Sequence, residues 1–504
     1  MKKLLLLMCG VVPFVYTFAQ PAFIKDSMDV YVQREMQRWQ IPGLAIAIVK
    51  DGKVVLEKGY GVKQVDKPEP VNEFTLFQIA SNTKAFTGTA VAWLHAEKRL
   101  MLDEKVTTYL PWFKLDAPQA TELCTVRDLL SHRIGFGTFQ GDFLNWGSTL
   151  TRKQIIERMA LTKPLFPFRY QYGYCNAGFI TAGELIPAVT DTSWDDFLQH
   201  RFFKPMGMVH TNTSYALMKN DNNACAPHTL VDGKVVKMPL TNIDNMGPSA
   251  SINSCVSDMK NWLLLQLDKG SLNGKQIIPA NVIMESRTSN MVVGDVYSKA
   301  FKSKHFSTYG LGWFLYDYEG RRVIEHSGGS NGFVTKTEFI PEEQLGVIVY
   351  TNTDANRLYD ALCKQVLEAY LNVPYRNVSE LYFNNAKIGK EADDKTLKAY
   401  RDTIGQGLKM ELKPADYCGT YRNAFYGKAE VKLVKGKLEL HLKHHPNNIG
   451  KLAHVNQHRF LCTYSDITCG VEPFYVNVEN GKVKSITVKV NDFIDYLSYE
   501  FVRE

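Results

Sequence analysis

Apolar and polar positions alternate with period two at both ends of the first 370 residues and recur at helical spacing between them. At residues 42–61, Leu44, Ile46 and Ile48 alternate with small residues, Lys50-Asp51-Gly52-Lys53 offers a turn, and Val54 to Tyr60 runs back. This pattern predicts two strands joined tightly. Helical spacing follows at 82–97, 126–132, 152–160, 177–189 and 194–202. It returns at 257–268, where Ser257-Asp258 reads as a capping pair before Trp262-Leu263-Leu264-Leu265. Strand patterns resume at 309–317, 321–326, 332–340 and 345–351, and a helix over 355–371 closes the unit. Strands at both ends with helices between predict an α+β domain, one antiparallel sheet packed against helices.

The pattern fades over 372–412, which is polar, rich in Asn, Lys and Asp, and helical only weakly near Lys395 to Tyr400. It reads as a linker. Residues 413–504 are almost all strand pattern, with runs at 428–434, 438–442, 459–464, 472–478, 485–490 and 497–502. Lys435-Gly436 and Asn480-Gly481 mark turns, and many short, evenly spaced strands predict a small all-β barrel or sandwich.

The first 19 residues change the picture. Lys2 and Lys3 precede an apolar stretch from Leu4 to Phe18, and Thr17-Phe18-Ala19 forms a small-residue cut site before Gln20. This is the pattern of an export signal, and it predicts a secreted or periplasmic protein. Cys9 falls inside the removed segment. No other run approaches the roughly 18 apolar residues of a membrane helix, so no integral membrane segment is expected after signal removal. The organisation expected is 1–19 signal, 20–371 main domain, 372–412 linker and 413–504 barrel. The net charge of +7 becomes +5 once Lys2 and Lys3 leave, and it is spread along the chain. Nothing in it points to nucleic acid. Eight cysteines remain, scattered and without C-x-x-C spacing, which argues against zinc sites and redox motifs.

Three short motifs carry candidate chemistry. In Ser81-Asn82-Thr83-Lys84 the serine opens a helix, where the dipole favours developing negative charge, and the lysine lies one turn on. Partial burial there would lower the lysine pKa and make it a usable base. In Tyr174-Cys175-Asn176 the tyrosine follows an aromatic loop and precedes a helix, so its phenol can take a serine proton if cations depress its pKa, while Asn176 can hold a substrate amide and orient Lys84. His326-Ser327-Gly328-Gly329 ends a strand, where glycines let a substrate lie along the edge and the Gly329 N–H can face an oxyanion. Competing copies read as structure. Ser257-x-x-Lys260 fits a helix cap, and Lys387-Ile388-Gly389 lies in the polar linker. Cys175 has no neighbouring His to activate it, and His441, His444 and His445 fit a polar strand end before Pro446 better than a metal site. The combination describes a serine nucleophile with Lys84 and Tyr174 as proton-transfer groups, and needs no cofactor or metal.

At these residues the chain resembles the serine β-lactamase-like hydrolases: class C β-lactamases, D-stereospecific peptidases and related esterases. The resemblance runs from about residue 28 to 370. It includes Ile41-Pro42-Gly43, Phe77 to Ser81, Leu129-Leu130-Ser131-His132, Tyr174 to Gly178, Tyr309 to Trp313 and His326 to Gly329. The tail, with Asp416-Tyr417-Cys418-Gly419-Thr420-Tyr421, looks like the lipocalin-like domain that often follows such hydrolases. The resemblance implies Ser81 as the acylated nucleophile, Lys84 and Tyr174 as the proton-transfer pair, Asn176 as a substrate and lysine contact, and the N–H groups of Ser81 and Gly329 as oxyanion hole. It implies a small-molecule ester or a D-amino-acid-containing peptide as substrate. The alternative is a penicillin-binding-like receptor or a β-lactamase with slow or absent turnover. His326 stands where many relatives carry lysine in Lys-Thr-Gly, and a neutral histidine is a poor anchor for a substrate carboxylate. Arg133-Ile134-Gly135 departs from the usual Thr-Ser-Gly. Loops 136–150 and 290–308 are expected to line the pocket.

Overall fold

The computed structural model describes residues 20–295 and 298–504. The segment read as an export signal lies outside the described residues. Eight strands form one antiparallel sheet: β1 (Gly43–Lys50), β2 (Lys53–Gly61), β3 (Met291–Asp295), β4 (Phe306–Tyr309), β5 (Phe314–Tyr318), β6 (Arg321–Ser330), β7 (Phe333–Ile340) and β8 (Leu345–Thr351). Their spatial order is β2-β1-β8-β7-β6-β5-β4-β3, so the first hairpin pairs with the last strand of the domain. Leu44 faces Thr351 and Lys50 faces Leu345 across that seam.

Both faces of the sheet are covered. Ala45, Ala47 and Val49 of β1 belong to the core shared with α2 (Thr83–Ala96), α3 (Val126–Leu130), α4 (Asn176–Thr190) and α5 (Val256–Leu267). Leu44, Ile46 and Ile48 face α1 (Met28–Trp39) and α6 (Leu358–Tyr370). The small residues of the alternating pattern therefore mark a second buried face, not a wet one. Helix α2 has no polar face either, being buried from Thr83 through Leu94, which makes it the central post of the helical layer.

Under α6, on the face away from α2, the sheet buries a charged cluster. Lys336 on β7 bonds Asp360 of α6 and lies 3.7 Å from Glu325 on β6 and 3.8 Å from Glu338 on β7, and Lys364 of α6 lies 3.7 Å from Glu338.

The polar segment read as a linker is a 28-residue helix, α7 (Val378–Gly405), which contains Lys387-Ile388-Gly389. Only Val378 and Ser379 are buried in it. Asn377 caps it, accepting from the Glu380 N–H at 3.2 Å, and Lys–Asp pairs four residues apart (Lys390–Asp394, 2.9 Å; Lys398–Asp402, 2.5 Å) run along it. Such pairs contribute about 0.2–0.5 kcal/mol each. The helix is visible in charge spacing rather than in apolar spacing. It bridges α6 at its start and the C-terminal domain further on.

That domain is a closed eight-stranded antiparallel barrel in which each strand pairs with its chain neighbours: β9 (Gly419–Asn423), β10 (Gly427–Val434), β11 (Lys437–Leu442), β12 (His445–Asn456), β13 (Arg459–Tyr464), β14 (Val471–Glu479), β15 (Lys482–Val488) and β16 (Tyr499–Arg503). The ring shuts where Tyr421 and Arg422 of β9 meet Arg503 and Val502 of β16. Strand β12 was not foreseen. Pro446-Asn447-Asn448 reads as a turn, yet the strand runs through it. His445 at its start is buried against the main domain, stacked on Phe143 with ring centroids 4.9 Å apart, and its Nε2 meets the Trp146 carbonyl at 3.0 Å. The histidine cluster is thus split between a barrel strand and a domain interface. All eight described cysteines are free thiols, and no helix among the described residues is long and apolar enough to cross a membrane.

Candidate active site

Ser81 sits on a short 3₁₀ turn, Ala80–Asn82, that leads into α2. Ala80 adopts φ 46°, a left-handed conformation that disfavours a side chain. Strain of this kind costs about 1–3 kcal/mol and persists only where neighbours hold it. Here Asn82 Nδ2 donates to Thr335 Oγ1 (2.9 Å) on β7, Thr335 Oγ1 donates to the Ile79 carbonyl (3.0 Å), and the Ile79 N–H donates to the Ile252 carbonyl (3.0 Å). The turn is pinned to the sheet on one side and to the helical layer on the other. Gly328 makes this possible, because a Cβ there would come within 2.1 Å of the Ile79 carbonyl oxygen.

Lys84 is fully buried one turn beyond Ser81, and its Nζ has three neighbours. They are Ser81 Oγ at 3.2 Å, Asn176 Oδ1 at 2.6 Å and the Ser249 carbonyl at 2.9 Å. Burial pulls its pKa down to about 7, against the opposing charge of Asp142. In the neutral amine, two N–H bonds go to the two carbonyl oxygens and the lone pair is left facing Ser81 Oγ. That is the geometry of a general base.

Tyr174 lies beside this pair, with Lys84 Nζ 4.7 Å from its ring centroid. The expectation that cations depress the phenol fails. Burial raises its pKa above the usual range and outweighs the opposing hydrogen bond from Ser81. Tyr174 is a protonated phenol near neutral pH, able to hand a proton on rather than to start the reaction as an anion. His132 holds the segment, accepting the Cys175 N–H at Nδ1 (3.0 Å) while its ring lies 4.4 Å from that of Tyr174. Asn176 begins α4 without capping it, its side chain turned to Lys84 and to Asp142, whose Oδ2 accepts from Nδ2 at 2.6 Å. Cys175 is buried with its thiol pushed up to about 12, chiefly by burial, which makes it inert.

His326 lines the cleft but offers no free charge. It is buried, Nδ1 meets the Ser327 carbonyl at 2.6 Å, and Nε2 pairs with the Tyr309 hydroxyl at 3.0 Å. Burial and the charge of Lys84 lower its pKa to about 3. Ser327, Gly328 and Gly329 continue along β6 beside the serine turn.

These residues enclose a cavity of about 520 Å³ that holds Ser81, Tyr174, Asn176 and the 326–329 edge together. Loop 136–150 contributes Thr138, Phe139, Asp142 and Trp146, and 290–308 contributes Val293. Among the described residues, none that lines the cavity is Lys or Arg. A third contributor was missed. The barrel loop 489–498, between β15 and β16, brings Phe493, Ile494 and Tyr496 into the cleft, and Phe493 covers Gly329 so closely that a Cβ there would sit 3.1 Å from its ring. Nothing local marks that loop, because its role depends on how the two domains dock. The second Ser-x-x-Lys also brings its lysine to its serine (Lys260 Nζ to Ser257 Oγ, 3.4 Å), but its setting differs. Ser257 lies inside α5, whose cap is Cys255, and Lys260 is a partly exposed cation paired with Glu57 at 2.5 Å. His210, Cys255 and Asp258 cluster nearby, but Asp258 is already occupied by the N–H groups of His210 and Thr211 and the Thr211 hydroxyl.

Similarity to known proteins follows the same division. The beta-lactamase family model matches residues 28–370, and a domain of unknown function, DUF3471, matches residues 407–503. "Protein flp" of Staphylococcus aureus (strain COL) is 28% identical over 333 residues, 66% of this chain and 64% of that protein. "Unguisins hydrolase ungD'" of Aspergillus campestris is 27% identical over 364 residues, 68% of this chain and 64% of that protein. The chain thus aligns with less than two thirds of the length of these relatives. Among solved structures, the octameric penicillin-binding protein homologue from Pyrococcus abyssi superposes with a TM-score of 0.59 at 21% identity, covering 94% of this chain and 99% of that one. SurE superposes at 0.57 and 17% identity, covering 95% and 99%. Both matches span the barrel as well as the sheet, and the architecture is that of a β-lactamase/penicillin-binding-like domain followed by a lipocalin-like barrel. Since the family match takes in the sheet, the strained serine turn and the buried lysine in one stretch, the chain belongs to the β-lactamase family.

Proposed function

We propose that the protein is a serine hydrolase that cleaves esters or D-amino-acid-containing peptides through an acyl-enzyme on Ser81. The observation that carries this reading is Lys84 Nζ, 3.2 Å from Ser81 Oγ with its other two contacts on carbonyl oxygens. In acylation, Lys84 takes the Ser81 proton as Oγ bonds the substrate carbonyl carbon. The N–H groups of Ser81 and Gly329 receive the oxyanion. The proton passes through the Tyr174 phenol to the leaving group, and the C–O or C–N bond breaks. Water then attacks the ester, the same pair takes its proton, and the acid leaves with Ser81 restored.

A cleft whose described lining holds no Lys or Arg, with His326 neutral, favours acyl groups that carry no carboxylate beside the scissile bond. That argues against efficient β-lactam turnover. The export signal read over residues 1–19 would deliver the enzyme outside the cytoplasm.

Treatment of the protein and its Ser81→Ala variant with a fluorophosphonate probe, with the adduct mapped by mass spectrometry, tests the reading. Labelling of Ser81 alone is expected. An unlabelled, folded wild-type chain that hydrolyses no ester or D-peptide would overturn it. A β-lactam adduct that persists without hydrolysis would favour a penicillin-binding-like receptor.

A further inference from the structure

Asn176 makes two hydrogen bonds of fixed sense. Its Oδ1 accepts from Lys84 Nζ and its Nδ2 donates to Asp142 Oδ2, each at 2.6 Å. Burial pushes the Asp142 carboxyl up to about 7; once ionised it only accepts, and it then admits one orientation of the amide, the one that turns a carbonyl toward Lys84. Asp142 is in turn gripped from the barrel. Asp495, fully buried in loop 489–498, accepts at Oδ2 from the N–H of Gly141 (3.1 Å) and of Phe143 (3.4 Å), the residues on either side of Asp142. Tyr426 and Tyr499 donate to the same oxygen at 3.1 and 3.0 Å, and the Leu497 N–H donates to Oδ1 at 3.0 Å.

We propose that Asp142 and the barrel's Asp495 are positioning residues in a relay, Asp495–Asp142–Asn176–Lys84, through which the C-terminal domain fixes the Asn176 amide and the charge facing Lys84. The proposal rests on the reading of Lys84 as the base for Ser81. It gives the barrel a part in proton transfer, beyond covering the cleft.

The relay has an electrostatic signature. The titratable groups facing Asp142 are Lys84, Tyr174, Cys175 and Asp495, with Asn176 and Asn145 as hydrogen-bond donors. Tyr426 and Tyr499 face Asp495, and His132 and His326 face Lys84. Burial and then the charge of Asp495 raise the Asp142 carboxyl, while Asp142 raises Lys84 against burial. Removing either carboxylate charge therefore moves Lys84 in opposite directions. Asp142→Asn deletes the charge that raises Lys84, so the base is free at lower pH. Asp495→Asn lets Asp142 ionise at lower pH, which raises Lys84.

The test is the pH dependence of fluorophosphonate labelling of Ser81 in the full chain, per titrated active site, with folding checked by circular dichroism. Asp142→Asn is expected to move the acid limb down by about one pH unit. Its plateau rate should fall about ten-fold, because an amide at position 142 can present either end to Asn176. Asp495→Asn is expected to move the limb up. Tyr426→Phe, which removes one donor to Asp495 and raises its pKa, should move it up by less and serves if Asp495→Asn does not fold. Unmoved limbs, or shifts of one sign in both carboxylate variants, would overturn the relay. A wild-type chain not labelled at Ser81 would overturn the hydrolase reading, and the relay with it.

Discussion

Lys84 and Lys336 are both buried lysines of the same domain, one on each face of its sheet, and their environments drive them apart. Burial lowers both. Around Lys84 the close partners are two neutral carbonyl oxygens and a hydroxyl, with the carboxylate of Asp142 one amide further away, and burial prevails. Around Lys336 stand Asp360, Glu325 and Glu338, and their charges carry its pKa well above the usual lysine range. Burial by itself does not make a base. What matters is whether the first neighbours are neutral acceptors or full negative charges. One lysine can exchange a proton near neutral pH, and the other is a permanent cation that holds strands to a helix.

The sharpest way to break this contrast is to remove each amine. Lys84→Met should lower kcat by about 10²–10⁴-fold, the usual worth of a positioned base, in a chain that still folds. Activity near wild type would show that Lys84 is not the base. Lys336→Met should instead strip the shared cation from three carboxylates, leaving Glu338 with Lys364, Asp360 with Arg357 and Glu325 unpaired among the described residues, and destabilise the fold by about 3–5 kcal/mol, the range for breaking a buried pair, with little change in rate per folded molecule. Denaturant titration and active-site titration separate those effects.

Stability against pH sharpens the same contrast at smaller amplitude. Lys84 has a folded pKa below its unfolded value, so the folded chain holds fewer protons between about pH 7 and 10.4, and this residue makes stability rise with pH there. Lys336 has a folded pKa above its unfolded value, so its contribution is fully present below about pH 10.4 and fades only as pH climbs beyond it. Chemical denaturation at pH 7 and pH 9.5 should show the wild-type chain gaining on Lys84→Met. The gap between wild type and Lys336→Met should stay level. A constant wild-type advantage over Lys84→Met would mean that the buried amine does not titrate in this window.

The smallest effect belongs to the roof of the cleft. Phe493 is 38% exposed and touches the Gly329 edge. Phe493→Ala should raise KM for an aromatic ester about five- to ten-fold, the low end of the 1–3 kcal/mol span of apolar pocket contacts, and leave the pH of half-maximal rate in place. A moved pH profile would mean that the barrel loop acts on Lys84 through Phe493 as well.

Much of this was legible in the chain. Ser81, Lys84, Tyr174 and Asn176 meet because each pair is set by local spacing, one turn of helix or the end of a loop before a helix, and the two segments then pack as α2 against α4. The sheet was readable because period two survives even where both faces are buried. Helix α7 was not, since its regularity is in charge and not in apolar spacing. Strand β12 was hidden by Pro446-Asn447-Asn448, which resembles a turn until the barrel supplies partners. Asp142 and Asp495 could not be found from spacing at all. They lie 353 positions apart and meet only after the domains dock. The direction of the Tyr174 shift was also out of reach, because it depends on how little water reaches the phenol.

The closure of the barrel has a consequence for when the protein becomes active. Loop 489–498 hangs between the last two strands, and β16 shuts the ring by pairing with β9 some eighty residues earlier. The sheet domain can collapse first, since its first hairpin waits only for β8. Its cleft still lacks a wall at that stage. Phe493, Ile494 and Asp495 reach their places only when Tyr499–Arg503 has been made and has zipped into the barrel. A chain whose barrel has not yet closed would carry Ser81 and Lys84 in an open, wetter cleft, so the site is completed in one late step rather than gradually.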